Sequence, residues 1–135
     1  MRIVLDTNVF ISGVFFSGPP YEILKAWREN AVQVVMSPEI FDEYQRVGRV
    51  LAVEFPGVDL GEILELLLVH AELILAPALP ETVCDDPDDD KFLACAMAGE
   101  CDVVVSGDRH LLRATGYGGV RVLSPREFLE VHLGR

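Results

Sequence analysis

The chain has 135 residues, 50% hydrophobic and 24% charged, and its formal net charge is -11. This length suits a single domain, residues 1–135, and this composition favours a folded globule over a disordered chain. The longest aliphatic run, residues 66–69, is too short to span a membrane, and the N-terminus lacks a secretory signal pattern, so we expect a cytoplasmic protein without a membrane partner.

Apolar runs and chain-breaking residues predict alternating strands and helices in the first half of the chain. The run 2–5 has no polar alternation, as expected of a central parallel strand, and it ends at Asp6. Ser37-Pro38 is typical of a helix start, with a capping hydroxyl followed by proline. In chain order the predicted elements are strand 2–5, helix 21–29, strand 32–36, helix 37–50, helix 60–73 and a short segment 74–75.

The second half opens with an acidic run, because six of the ten residues 81–90 are Asp or Glu. Asp88 or Asp89 can cap the helix that follows, where negative charge also suits the helix dipole. The remaining predicted elements are strand 103–105, helical turn 109–114, loop 116–119, strand 120–123 and helix 124–132. Strand and helix alternate throughout, which predicts an α/β fold with a mostly parallel sheet of four to five strands and a site at their carboxyl ends.

Four acidic residues are expected to converge at that edge. Asp6 ends the first strand and Asp108 follows strand 103–105, so both should lie at the same edge of a parallel sheet, while Glu43 and Asp90 can point back to it from their helices. Carboxylates this close would repel one another without a cation. Oxygen ligands without histidine or cysteine favour Mg²⁺ or Mn²⁺ over zinc, and such ions support in-line displacement at phosphorus. This is nuclease chemistry.

Four ordered motifs carry a resemblance to a known family, and together they span essentially the whole chain. They are residues 5–12, Ser37-Pro38-Glu39 with Glu43, residues 85–96 and residues 104–112. The sequence resembles the PIN-domain family, most of all the small prokaryotic branch that includes the VapC-like ribonuclease toxins of toxin–antitoxin pairs. The resemblance implies a three-layer α/β/α fold, dependence on Mg²⁺ or Mn²⁺, and hydrolysis of RNA. It also implies a cognate antitoxin and a homodimer.

The resemblance also assigns residues to the site. Its acidic positions fall on Asp6, Glu43, Asp90 and Asp108. Its polar supporting positions fall on Asn8 and Ser106, and Asp88 is either an extra ligand or only a helix cap. Several basic residues flank the acidic motifs and are candidates for positioning phosphates, although each is also explained as a solvated charge. They are Arg46, Arg49, Lys91, Arg109 and Arg113.

Other interpretations stay open at this stage. A phosphatase or phospho-acceptor in which Asp6 reacts is disfavoured because position 8 is Asn and not a second acid. A non-catalytic module that docks a basic partner in an acidic cleft is a further alternative. Individually, Glu43 suits a solvent-facing helix position and Asp108 suits an N-cap. The three cysteines have no framework spacing, and we expect them to be reduced.

Overall fold

A sheet of five strands, all parallel, lies at the centre of the computed structural model, which describes residues 1–135. The strands are β1 (Arg2–Leu5), β2 (Gln33–Met36), β3 (Glu72–Leu73), β4 (Val103–Val105) and β5 (Arg121–Leu123). Their order is β3-β2-β1-β4-β5. The chain leaves β1 toward β2 and β4 toward β5, in opposite directions across the sheet. A crevice opens at such a switch point, beyond the carboxyl ends of the strands.

Both faces of this sheet are covered. Ile3, Val4 and Leu5 are all 0% exposed. Because successive strand residues point to opposite faces, burial of all three requires a helical layer on each side. The core is a cluster of 35 buried hydrophobic residues. The predicted α/β class with a parallel sheet is confirmed.

Seven α-helices surround the sheet: α1 (Thr7–Phe15), α2 (Pro19–Arg28), α3 (Pro38–Glu54), α4 (Leu60–His70), α5 (Asp90–Ala98), α6 (Arg109–Leu112) and α7 (Pro125–Phe128). Helix α5 packs on β1, β2 and β4, while α1 packs on α2 and α3. Short 3₁₀ turns occupy Pro87–Asp89 and Tyr117–Gly119, and a π-helical turn, Leu129–Leu133, follows α7. None of the helices combines the length and hydrophobicity that crossing a membrane requires. All three cysteines are buried and unpaired, as expected.

Two elements differ from the sequence-based prediction. Helix α1 was not predicted, because Thr7–Phe15 is apolar on most sides and rich in β-branched and aromatic residues, which have only modest helix propensity. The cap at Asp6 and packing on α2 and α3 override that propensity. The predicted helix 60–73 ends at His70, since Glu72 and Leu73 instead pair with Val35 and Met36 as an edge strand. Pairing with β2 satisfies backbone groups that a longer helix would have used.

Candidate active site

Asp6 and Ser106 meet at the carboxyl edge of the sheet because their strands are neighbours. Leu5 is in register with Val105, and the Asp6 backbone N–H donates to the Val105 carbonyl at 3.0 Å. The Ser106 hydroxyl donates to one carboxylate oxygen of Asp6 and accepts the backbone N–H of Asp108 at 2.9 Å. The other Asp6 oxygen accepts the Val9 N–H at 2.8 Å and so caps α1. Ser106 therefore links Asp6, at the end of β1, to Asp108, after the end of β4, through hydrogen bonds.

The environment of Asp6 opposes its ionisation. The residue is 4% exposed. Burial raises the pKa of Asp6 to about 6, the negative charges of Asp108 and Glu43 add to the rise, and the hydrogen bonds from Ser106 and Val9 partly offset it. A neighbouring cation would restore the charged form.

Glu43 reaches the same edge because its helix is fixed to the first strand. The hydroxyl of Tyr44 donates to the Leu5 carbonyl at 2.5 Å, and its ring stacks on Phe10 with centroids 4.3 Å apart. Glu43, the preceding residue, accepts hydrogen bonds on both carboxylate oxygens. One comes from the Thr7 hydroxyl and the other from the Lys91 ammonium at 2.7 Å.

These side chains line one cleft, a cavity of about 210 Å³. Three of the four predicted acids, Asp6, Glu43 and Asp108, are among its lining residues, and so is the predicted supporting residue Asn8. Ser106 stands behind Asp6 through its hydrogen bond. The lining residues are Asp6, Thr7, Asn8, Glu43, Val47, Asp89, Phe92 and Asp108.

Asp90 is not among them, which corrects its predicted placement. Its two carboxylate oxygens accept the backbone N–H groups of Val83, at 3.0 Å, and Cys84, at 2.7 Å. Burial disfavours the charged form of Asp90, but these hydrogen bonds outweigh it and lower its pKa below the ordinary value. Asp90 therefore fastens the preceding loop to the start of α5.

Asp89 takes the place in the cleft that the sequence assigned to Asp90. It is the N-cap position of α5, but its side chain makes no capping hydrogen bond. Burial raises the pKa of Asp89 to about 6, and the charges of Asp108, Asp86 and Asp6 add to the rise. A half-buried carboxylate without a partner, beside two other acids, is left to interact with something outside the chain.

The comparison with known families agrees with this geometry. The profile of the PIN domain family matches residues 2–110, which include every acid of the cleft. The chain belongs to the PIN domain family. It is also 27% identical to the uncharacterized protein MJ1680 of Methanocaldococcus jannaschii over an alignment of 147 positions, which covers 96% of this chain and 90% of that protein. PIN domains are generally nucleases, so membership implies a nuclease-type, hydrolytic function.

The flanking polar residues of this PIN domain have distinct positions. Asp88 lies outside the cleft with its side chain 69% exposed, and it accepts a hydrogen bond from Lys91 at 3.0 Å. Asp88 caps no helix, because the N-cap position of α5 is Asp89 and that of the 3₁₀ turn Pro87–Asp89 is Asp86. Arg46 lies 3.6 Å from Glu43 with its side chain 72% exposed, and the exposed Arg109 follows Asp108 at the start of α6.

Two polar residues of the PIN cleft, Thr7 and Asp89, were not predicted from the sequence. Thr7 is 6% exposed and holds Glu43, yet the only signal for it is its place directly after Asp6. Asp89 lies in a run of three aspartates. Its chemistry is the same as that of its neighbours, so the sequence contained no signal that separated it from Asp90.

The donors of the PIN cleft fit a hard divalent cation in chemical type. Asp6, Asp89 and Asp108 offer carboxylate oxygens and Asn8 an amide oxygen. Burial and the neighbouring carboxylates raise the pKa values of Asp6 and Asp89, and no basic side chain of the protein pairs with either residue. As the side chains stand, no group of three or more histidine, cysteine, aspartate or glutamate residues is placed to hold a metal ion.

Proposed function

We propose that this PIN domain is a metal-dependent endoribonuclease that hydrolyses RNA phosphodiester bonds with Mg²⁺ or Mn²⁺. The observation that carries the proposal is the convergence of Asp6, Glu43, Asp89 and Asp108, from four separate segments, on one cleft of about 210 Å³. Ionisation of Asp6 and Asp89 is costly here, because burial raises the pKa values of both residues and the neighbouring negative charges add to the rise. A divalent cation would offset that cost.

Each residue then has a defined task. Asp6, Asp89 and Asp108 would hold the ion, and Glu43 would hold the attacking water. The bound ion would supply Lewis acidity and a water of lowered pKa. Ser106 fixes the carboxylate of Asp6 in place, and Thr7 does the same for Glu43. Asn8 lines the cleft with an amide that can both donate and accept hydrogen bonds.

Exposed arginines support a polyanionic substrate despite the net charge of -11. Arg46 lies on α3, one turn after Glu43, and Arg109 lies directly after Asp108. Both are exposed, so we propose that they position phosphates beside the cleft. The excess of negative charge on the chain would otherwise repel RNA, and bound divalent ions would reduce that repulsion.

We further propose that the protein is the toxin of a type II toxin–antitoxin pair and forms a homodimer. The support for this branch is the motif resemblance, and the support for an interface is apolar surface. Leu68 and Val69, at the end of α4, are 57% and 73% exposed, and Leu73 and Leu75, in or next to edge strand β3, are 52% and 84% exposed. Large aliphatic groups in water favour association. A monomeric mass in light scattering would contradict the dimer.

The test of the enzymatic proposal is cleavage of a labelled single-stranded RNA with Mn²⁺ or Mg²⁺, with EDTA, and with a DNA oligonucleotide of the same sequence. We expect RNA cleavage only with a divalent ion. Asp6→Asn should abolish both cleavage and Mn²⁺ binding while the fold persists, because asparagine can still cap α1. Full activity of this variant, or undiminished cleavage in EDTA, would refute the proposal, and cleavage of DNA alone would refute the choice of RNA.

A further inference from the structure

Lys91 is the best-buried cation near the cleft, and all its polar contacts are with carboxylates. It is the second residue of α5, and its side chain is 18% exposed. The ammonium lies 2.7 Å from Glu43 and 3.0 Å from Asp88, and it is 5.4 Å from the centre of the Phe92 ring. Two carboxylates and one aromatic ring surround this compact charge, so the protein neutralises it without any ligand.

Glu43 differs from the other acids of the cleft because it is paired with basic side chains. One of its oxygens accepts the Thr7 hydroxyl, and the other faces Lys91, with Arg46 at 3.6 Å. Asp89, in contrast, has no hydrogen-bond or ion-pair partner for its side chain. Basic side chains of the protein therefore pair with Glu43, and none pairs with Asp6, Asp89 or Asp108.

We propose that Lys91 is a positioning residue that serves Glu43 as a built-in monovalent cation and thereby restricts the cleft to one tightly bound divalent ion. It holds Glu43 toward the cleft and takes the place beside it that a second divalent ion would need. The divalent ion belongs on the opposite side, with Asp6, Asp89 and Asp108. This inference rests on the proposed function, since it concerns the metal that the nuclease uses.

Because of this role, Lys91 is less suited to bind a phosphate than the exposed arginines are. To contact a phosphate, the ammonium would have to give up its ion pairs with Glu43 and Asp88. Arg46 and Arg109 can reach a phosphate with less rearrangement because their side chains are exposed. The two roles predict different kinetics: loss of a positioning residue lowers kcat, whereas loss of a phosphate contact raises KM for RNA.

The test is a titration with Mn²⁺ followed by electron paramagnetic resonance, which counts bound ions and measures their affinity. The chain has only two lysines, so Lys25→Met on α2, exposed and outside the cleft lining, is a matched control for charge. We expect one bound ion in the unchanged protein, in Lys25→Met and in Lys91→Arg. In Lys91→Met we expect about tenfold tighter binding or a second ion, because a unit positive charge near the divalent ion is removed.

A second measurement uses the unchanged protein, so it does not depend on the folding of Lys91→Met. In amine-reactive labelling read by mass spectrometry, Lys91 should react more slowly than Lys25, and saturating Mn²⁺ should not change this. Wild-type Mn²⁺ stoichiometry and affinity in folded Lys91→Met, or a rise of Lys91 labelling to the level of Lys25 when Mn²⁺ is added, would overturn the inference alone. Absence of Mn²⁺ binding by the unchanged protein would overturn the proposed function with it.

Discussion

The hydroxyl of Ser106 donates a hydrogen bond to the carboxylate of Asp6, a residue one hundred positions earlier in the chain. Both residues are buried, at 0% and 4% exposure. The same hydroxyl accepts the backbone N–H of Asp108. A single small side chain thus fixes the orientation of one acid and the backbone of another, and it does so across the switch point between β1 and β4.

Ser106→Ala should destabilise the fold and slow cleavage together. Removal of the hydroxyl leaves a buried carboxylate oxygen and the Asp108 N–H without partners, which costs about 1–3 kcal/mol. A matched control is Ser37→Ala, because Ser37 is equally buried but caps α3 and touches no acid of the cleft. The control should cost about 1 kcal/mol and leave kcat unchanged. Chemical denaturation and RNA cleavage give the two readouts. Equal kcat in the two variants would contradict a positioning role for Ser106.

Asp89→Asn and Asp90→Asn should have opposite effects. Asp89 faces the cleft without a partner, so its neutralisation should abolish Mn²⁺ binding and cleavage and leave stability unchanged or slightly higher. Asp90 accepts the backbone N–H groups of Val83 and Cys84. The two N–H groups contact different oxygens of Asp90, and Asn replaces one of these oxygens with an NH₂ donor, so this variant should lose about 1–2 kcal/mol and keep cleavage at saturating metal. Calorimetry measures Mn²⁺ binding, and thermal melts measure stability. Loss of Mn²⁺ binding in Asp90→Asn but not in Asp89→Asn would assign the metal-ligand role to Asp90.

Tyr44→Phe should loosen α3 from the sheet without disturbing the aromatic stack. The ring of Tyr44 keeps its contact with Phe10, but the Leu5 carbonyl loses its buried hydroxyl donor. We expect a loss of about 1–2 kcal/mol in the free energy of unfolding and a fall in kcat, since Glu43 is the adjacent residue. Urea denaturation and cleavage at saturating RNA test this expectation. A destabilised variant with unchanged kcat would show that the bond to Leu5 does not position Glu43.

Stability should depend on pH in a window set by Asp6 and Asp89. Both have folded-state pKa values of about 6, above the ordinary 3.8, so between roughly pH 4 and 6 the folded protein binds more protons than the unfolded chain. Stability from these two groups is therefore lost as the pH rises from 4 to 6. Mn²⁺ should oppose this loss by binding the ionised acids, and its stabilising effect should grow through pH 6.

Thermal melts at several pH values, with and without Mn²⁺, measure this effect, and Asp6→Asn should reduce the slope without metal. Carboxylates whose pKa values are lowered, such as Asp90, contribute in the opposite direction, but their contribution is lost only as the pH falls below the ordinary range. The carboxylates with raised pKa values and those with lowered pKa values therefore affect stability in different pH ranges. A melting temperature that rises steadily from pH 4 to 6 without metal would contradict the assignment of the raised pKa values.

The sequence by itself determined four of the five strands and the sheet edge at which the candidate site lies. Uninterrupted apolar runs indicated strands buried on both faces, and the parallel arrangement then required Asp6 and Asp108 to lie at the same edge. This reasoning holds because it depends on local composition and on a geometry that all parallel sheets share. It also placed Glu43 near that edge, on a helix that starts at Ser37-Pro38, and Glu43 does line the cleft.

Only the tertiary structure decided which of the two residues Asp89 and Asp90 lines the cleft. Adjacent residues at a helix start point about 100° apart, so the direction of each depends on where the helix begins and on what lies beside it. Here the backbone of Val83 and Cys84 binds Asp90, which leaves Asp89 at the cleft. The formation of α1 and the pairing of Thr7 with Glu43 were settled in the same way, by packing between distant segments that no local pattern specifies.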